Sequence, residues 1–192
     1  TLFPYTTLFR LMWELSSNET NCMIGFHSVS VIADAMAKGI GGFDSLAAYR
    51  AAVAASNYTA WGIPQFNKAG YLQVDDESES VSKSLEYAYD NWCIAQMASM
   101  LGKKEDEAIY LRRSQAYRNL FDARSGHMRP RKNGGWLTPF YASEINNHFT
   151  EGNSWQYSFY VPHDLKGLIN LYGNDARFEK KLDELFETTE KT

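Results

Sequence analysis

The chain has 192 residues, of which 44% are hydrophobic and 15% aromatic, and its formal net charge is −4. That length and apolar content give one domain with a sizeable core and exclude an intrinsically disordered chain. The acidic balance and the lack of a basic stripe argue against a nucleic-acid binder. Two cysteines, Cys22 and Cys93, make no disulfide framework, and each reads as a small buried hydrophobe within an apolar run. No apolar run reaches the length of a membrane span.

Residues 1–11 have no clear period and read as a tail, without the basic start and apolar centre of a signal peptide. Residues 13–27 are polar and loop-like. Ser28 is a helix-capping type ahead of Val29, Ile32, Ala33 and Met36, and Gly39 ends that pattern. Asp44 or Ser45 can start a second helix through Leu46, Tyr49 and Val53, making a helical hairpin. Residues 58–73, punctuated by Gly62, Pro64 and Gly70, read as irregular. The acidic run Asp75, Asp76, Glu77, Glu79 precedes the clearest helical period, Val81, Leu85, Ala88 or Tyr89, Trp92, Ile94, Met97 and Leu101. Acids ahead of a first turn suit the helix dipole.

A fourth helix is expected from about Lys104 to Phe121, with Ala108, Leu111 and Leu120 facing inward. Between 124 and 140 the apolar pieces His127-Met128 and Trp136-Leu137 flank Asn133-Gly134-Gly135, which suggests a small β-hairpin. Helical segments are expected at about 153–161, 164–172 and 175–187. With 153–172 counted as one helix interrupted at Pro162, the rhythm is about six helices in three hairpins separated by long loops. It fits a helical bundle or part of an α/α toroid, whose loops line a central pocket; long functional loops favour the toroid.

Chemistry concentrates in residues 148–157, which hold His148, Glu151, Asn153, Trp155, Gln156 and Tyr157. Glycoside hydrolysis needs two carboxylic groups, one of which protonates the leaving oxygen. Aromatic neighbours can desolvate Glu151 and raise its pKa, whereas a helix start nearby pulls the other way. The plain structural reading is a helix-start Glu satisfying backbone donors. His27, His127, His148 and His163 are the only histidines, and no HxxxH or HExxH pair occurs, so zinc is not expected. His163-Asp164 reads as a helix cap. His27 and His148 lie on loops within reach of a ligand, and Glu14 and Asn18 lie on the polar loop before the first helix. The run 75–79 has carboxylates for calcium but not the spacing of a calcium loop, and reads as a solvated helix start. Asn18-Glu19-Thr20 and Asn57-Tyr58-Thr59 match the glycosylation triplet, a pattern common by chance.

Three runs carry a family resemblance. They are Cys22-Met23-Ile24-Gly25-Phe26-His27-Ser28-Val29-Ser30-Val31-Ile32-Ala33-Asp34-Ala35, Ser82-Lys83-Ser84-Leu85-Glu86-Tyr87-Ala88-Tyr89-Asp90-Asn91-Trp92-Cys93, and Phe149-Thr150-Glu151-Gly152-Asn153-Ser154-Trp155-Gln156-Tyr157 with Val161-Pro162-His163-Asp164. In this order they resemble family 92 glycoside hydrolases, exo-acting α-mannosidases, from about Met12 to the C-terminus. The resemblance implies an all-α chain forming about half of an (α/α)6 toroid, residues 12–192 being a partial catalytic domain. It implies calcium-dependent, inverting hydrolysis of α-mannosides on glycans, in a periplasmic or secreted parent protein, with Glu151 as the general acid. His27, His148, Glu14, Asn18, Asn153, Trp155, Gln156 and Tyr157 are the expected substrate-binding set, and the metal ligands are not identified.

The family's base, an Asp near a G-Q-M-S-A-W motif, and its G-N-E-P-x-H-H motif do not occur in this sequence. The chain therefore reads as an internal fragment whose partners include the missing parts of its parent chain. The other readings are a non-catalytic carbohydrate-binding piece and another α/α-toroid enzyme, a sugar epimerase or a lyase.

Overall fold

The structure, a computed structural model, describes residues 23–189. Glu14, Asn18, Cys22 and the first glycosylation triplet lie outside the described residues. Among the described residues the chain is all-α, as expected, apart from two small ladders. Its α-helices are α1 (Ser28–Ala37), α2 (Ser45–Ala55), α3 (Ile63–Ala69), α4 (Ser80–Met100), α5 (Lys104–Ser114), α6 (Ser154–Tyr157), α7 (Leu165–Tyr172) and α8 (Asp175–Glu187). Its strands are β1 (Phe121–Asp122), β2 (His127–Met128), β3 (Arg131–Lys132) and β4 (Gly135–Trp136). No helix among the described residues is long and apolar enough to cross a membrane. Two compact units emerge: residues 23–68 with 86–115, and residues 69–85 with 116–189. The first turns of α4 belong to the second unit and the remainder to the first.

The first unit is built around Tyr87. Its ring stacks on Phe26 at 5.6 Å and meets the edge of Phe66 at 5.5 Å, and its hydroxyl donates to the Trp61 carbonyl at 2.8 Å. Asp44 caps α2 by accepting from the Ala47 amide at 2.9 Å. Ser28 does not cap α1. His27 holds that position without a side-chain cap bond, and Ser28 is buried one residue further in.

Residues 58–73 are less irregular than their punctuation suggests. Pro64 stands at the second position of α3, where a missing N–H costs nothing, while Ile63 and Phe66 supply a buried face. The inward face of α5 is also not the expected one. Ala108 and Leu111 are exposed, and Tyr110 and Ser114 are buried. Polar ties to α2 set that face: Tyr49 Oη donates to Asp106 Oδ2 at 2.6 Å, and Ser56 Oγ lies 2.9 Å from Tyr110 Oη. The helix stops at Ser114, whose hydroxyl donates to the Leu111 carbonyl, and a 3-10 turn, Gln115–Asn119, follows. Side-chain competition for main-chain carbonyls of this kind weakens a helix.

The second unit has a core of Val81, Leu85, Tyr117, Leu120, Phe121, Met128, Phe149, Val161, Leu168 and Tyr172. Here the expected hairpin is replaced by two. His127–Met128 pairs with Phe121–Asp122, and Trp136 pairs with Arg131 across Asn133-Gly134. The glycine turn closes a tighter loop than expected, because the Arg131 guanidinium packs on the Trp136 ring at 4.1 Å and on Tyr71 at 5.0 Å. Gln73 Oε1 fixes the turn by accepting from the Gly134 amide at 2.6 Å. The helix expected at 153–161 is only the single turn α6. Asp164 caps α7 through the Gly167 amide, and α7 packs against α8 as the expected third hairpin.

Candidate active site

Residues 147–157 form a turn held from both ends. On the upstream side, the Glu79 amide donates to Asn147 O at 2.7 Å and the Val81 amide donates to His148 O at 3.1 Å. All three polar groups of Thr150 are engaged. Its amide donates to Ser82 Oγ at 2.9 Å, its hydroxyl donates to Glu79 Oε1 at 2.8 Å, and its carbonyl accepts from Tyr157 Oη at 2.8 Å.

On the downstream side, Asn153 and Gln156 form a reciprocal capping box. Asn153 Oδ1 accepts from the Trp155 amide at 3.1 Å, and Gln156 Oε1 accepts from the Asn153 amide at 2.7 Å. Asn153 Nδ2 donates to Ser143 O at 3.0 Å, and the Ser154 amide donates to Ala142 O at 3.1 Å. Gly152 is a spatial requirement of this box, because a Cβ there would stand 2.7 Å from Gln156 Oε1.

Glu151 sits between these anchorages with φ of 50°, in the left-handed region that a non-glycine residue enters only at a cost. It is exposed, so the aromatic side chains do not bury its carboxylate. The aromatic neighbours instead pack beside and beneath the turn. Trp155 is buried, its ring edge-on to His127 at 4.5 Å with Lys181 Nζ 4.0 Å above it. Tyr157 packs near Phe149 at 5.9 Å. His148 is half-buried, and burial lowers its pKa against an opposing pull from Glu144. Of the expected set, then, Asn153, Gln156 and Tyr157 hold the turn, Trp155 supports it from below, and Glu151 and Gln156 are exposed, Glu151 being the ionisable one.

His127, a histidine with no assigned role in the sequence reading, is buried under this turn. Burial, reinforced by Lys181, pushes its pKa down to about 4. A neutral imidazole there lies 3.3 Å from Ser158 Oγ, and Ser158 in turn accepts from the Met128 amide at 2.9 Å.

His27 is in the first unit. Its Nδ1 lies 3.7 Å from Glu86 Oε2 and 3.6 Å from Asp90 Oδ1. Asp90 is fully buried, and its Oδ2 accepts from the Phe26 amide at 2.9 Å. Gly25 is required here because a Cβ would collide with the His27 ring and stand 2.9 Å from Asp90 Oδ2. Glu86 and Asp90 were not foreseen. The signal for them was two acids one turn apart on a helix whose other residues are mostly apolar.

The acidic run before α4 is not a solvated helix start. Lys83, only 5% exposed, draws it in. Its Nζ lies 3.1 Å from Glu77 Oε1 and 3.8 Å from Glu79 Oε2, and Asp76 Oδ2 accepts from the Gln73 amide at 2.8 Å. A buried ammonium needs such partners. Among the described residues, no three His, Cys, Asp or Glu side chains come together to hold a metal ion.

The glycosyl hydrolase family 92 catalytic domain matches residues 8–192. Among solved structures, the family's α-mannosidase BT3965 from Bacteroides thetaiotaomicron is 42% identical with a TM-score of 0.88, covering 96% of this chain and 26% of that one. In its complex with mannoimidazole the TM-score is 0.89 at 40% identity, covering 98% of this chain and 26% of that one. The inverting mannosidase BT2199 of the same organism is 35% identical with a TM-score of 0.83, covering 88% and 24%. A curated relative from Arthroderma benhamiae, described as an uncharacterized secreted glycosidase, is 29% identical over 85% of this chain and 26% of its own length. The chain thus spans about a quarter of the length of the relatives it matches. With the family's catalytic-domain pattern running through nearly all of its residues, the chain belongs to glycosyl hydrolase family 92.

Proposed function

We propose that this chain supplies the general acid, Glu151, of an exo-α-mannosidase that removes terminal α-linked mannose from glycans with inversion. The observation that carries the reading is the exposed carboxylate of Glu151 on a turn whose backbone is anchored before and after it. A group that must deliver a proton has to be accessible, and it has to be held at hydrogen-bond distance, roughly 2.6–3.2 Å, from the leaving oxygen, since a misplacement of about 1 Å costs about 10²-fold. Mannosidase structures at 35–42% identity support the substrate class, and one of them is described as inverting.

In this mechanism the protonated Glu151 donates to the glycosidic oxygen as the bond from that oxygen to the anomeric carbon breaks. Water attacks the anomeric carbon from the opposite face and gives its proton to a second carboxylate. The resemblance sets that base in a motif this sequence does not contain. Asn153, Gln156 and Tyr157 act by fixing the turn. His148, half-buried beside it, is an expected sugar contact. Calcium dependence and a periplasmic or secreted location belong to the same reading, and the secreted description of the Arthroderma relative supports the location. Among the described residues no three His, Cys, Asp or Glu side chains gather into a calcium site. Chelation of the complete enzyme, followed by calcium add-back, tests that dependence.

The decisive experiment is Glu151→Gln in the complete enzyme. Turnover of unactivated mannosides should fall by about 10²- to 10⁴-fold, with mannose still bound. Turnover close to that of the parent would overturn the assignment.

A further inference from the structure

Glu79 and Thr150 stand out because they join two left-handed residues through one side-chain bond. Glu79 has φ of 56° and Glu151 has φ of 50°. Thr150, directly before Glu151, donates its hydroxyl to Glu79 Oε1 at 2.8 Å. The second oxygen of Glu79 faces Lys83 Nζ at 3.8 Å, and Lys83 is buried and also bonded to Glu77 at 3.1 Å. The Glu79 amide reaches Asn147 O, so this one residue grips the 147–151 segment by both backbone and side chain. A helix cap alone does not call for this arrangement. The carboxylate of Glu79 is engaged by Lys83 and by Thr150, the residue that precedes the candidate acid.

We propose that Glu79, oriented by Lys83, is a positioning residue that acts through Thr150 to set the direction of the Glu151 carboxylate. The proposal rests on the reading of Glu151 as the general acid. It assigns Glu79 no contact with substrate. Without the bond, the Thr150 hydroxyl is free to turn, the left-handed step at Glu151 loses one of its restraints, and the carboxyl swings off the leaving oxygen.

Leaving-group dependence separates this role from a structural one, because a dinitrophenyl leaving group departs without protonation while a sugar or simple alcohol does not. In the complete enzyme, Thr150→Val and Glu79→Ala, each of which removes that bond, should lose about 10- to 100-fold in kcat/KM on an unactivated α-mannoside. On 2,4-dinitrophenyl α-mannoside the loss should stay within about threefold, and Thr150→Ser should regain most of the unactivated rate. Equal losses on both substrates, or no loss on either, overturn the positioning role. If Thr150→Val does not fold, Glu79→Ala against Thr150→Ser gives the same comparison. Glu151→Gln is run alongside. If it keeps its unactivated rate, the reading of Glu151 itself has failed; if it loses that rate while the Glu79 and Thr150 variants do not, only the positioning role has.

Discussion

The turn at Glu151 and the cluster of His27, Glu86 and Asp90 use the same side-chain chemistry to opposite ends. At the turn, amides, hydroxyls and a capping box hold the backbone and leave the carboxylate exposed. In the cluster the carboxylates themselves are enclosed, and Asp90 serves as acceptor for the Phe26 amide. A carboxylate committed to a buried amide is structural, since its removal leaves that donor without a partner. A carboxylate whose surroundings are committed to fixing it is available for chemistry. The number of acids in a region therefore says less than where their bonds go.

The comparison breaks most sharply at Asp90. Asp90→Ala is expected to destabilise the complete protein by about 3 kcal/mol, because a buried amide and the imidazole beside it lose a charged partner. Glu151→Ala should change stability by under about 0.5 kcal/mol, as befits an exposed side chain. Urea unfolding of the two variants side by side measures the contrast, and similar losses would erase it.

A second test uses the imidazoles, since His127 is buried neutral beneath the turn while His27 faces carboxylates. The folded-state pKa of His127 lies below its unfolded value, so the folded state binds its proton less well. The stability that follows is complete above pH 6.5 and is lost as pH falls from there toward about 4. Over that window the loss approaches about 3 kcal/mol. His127→Gln should flatten this part of the stability–pH curve, and a variant curve parallel to that of the parent would assign the acid loss to other groups.

Much of this was legible before any coordinates. The stripe from Val81 to Leu101 gave α4 almost to the residue, since amphipathic period is a backbone-wide signal. Asp44 was readable as a cap, because capping depends on residue type and local spacing. What escaped needed partners far along the chain. Ala108 and Leu111 fit an inward stripe on α5, yet the face was set by Tyr49 and Ser56 hydroxyls 57 and 54 positions away from their respective partners. Glu79 looked like one acid in a solvated run, yet its partner is Thr150, 71 positions on. Trp155 stood in the expected substrate-binding set, and residue type gave no sign of its ring contacts to His127 and Lys181. Glu151 itself was found by its motif. The left-handed backbone that makes it distinctive leaves no trace in residue type.

The turn is sharpened further at its cap. Asn153→Ala removes the acceptor for the Trp155 amide and the tie to Ser143 O together. The expected cost is about 1–2 kcal/mol, the range for a lost N-cap. Asn153→Asp keeps the cap acceptor but not the donor to Ser143, and should recover most of the stability. Thermal melting separates the cap from the cross-loop tie, and equal losses in the two variants would place the weight on Ser143.

The smallest expected effect is the most specific to the strained step. A non-glycine residue at φ of 50° raises the energy of the folded state, and glycine there does not. Against this, glycine loses more chain entropy on folding, which offsets part of the gain. The balance for Glu151→Gly is a stabilisation of about 0.5–1 kcal/mol, in a variant that has lost its proton donor. At a site shaped for packing, replacing a side chain by hydrogen lowers stability. At a site where strain is kept for function, the same change raises it and removes the activity. Unfolding curves of Glu151→Gly and Glu151→Ala decide between the two. Alanine keeps the left-handed cost and glycine does not, so glycine should be the more stable. If alanine is the more stable, the turn at Glu151 stores no strain, and its anchorage serves the fold alone.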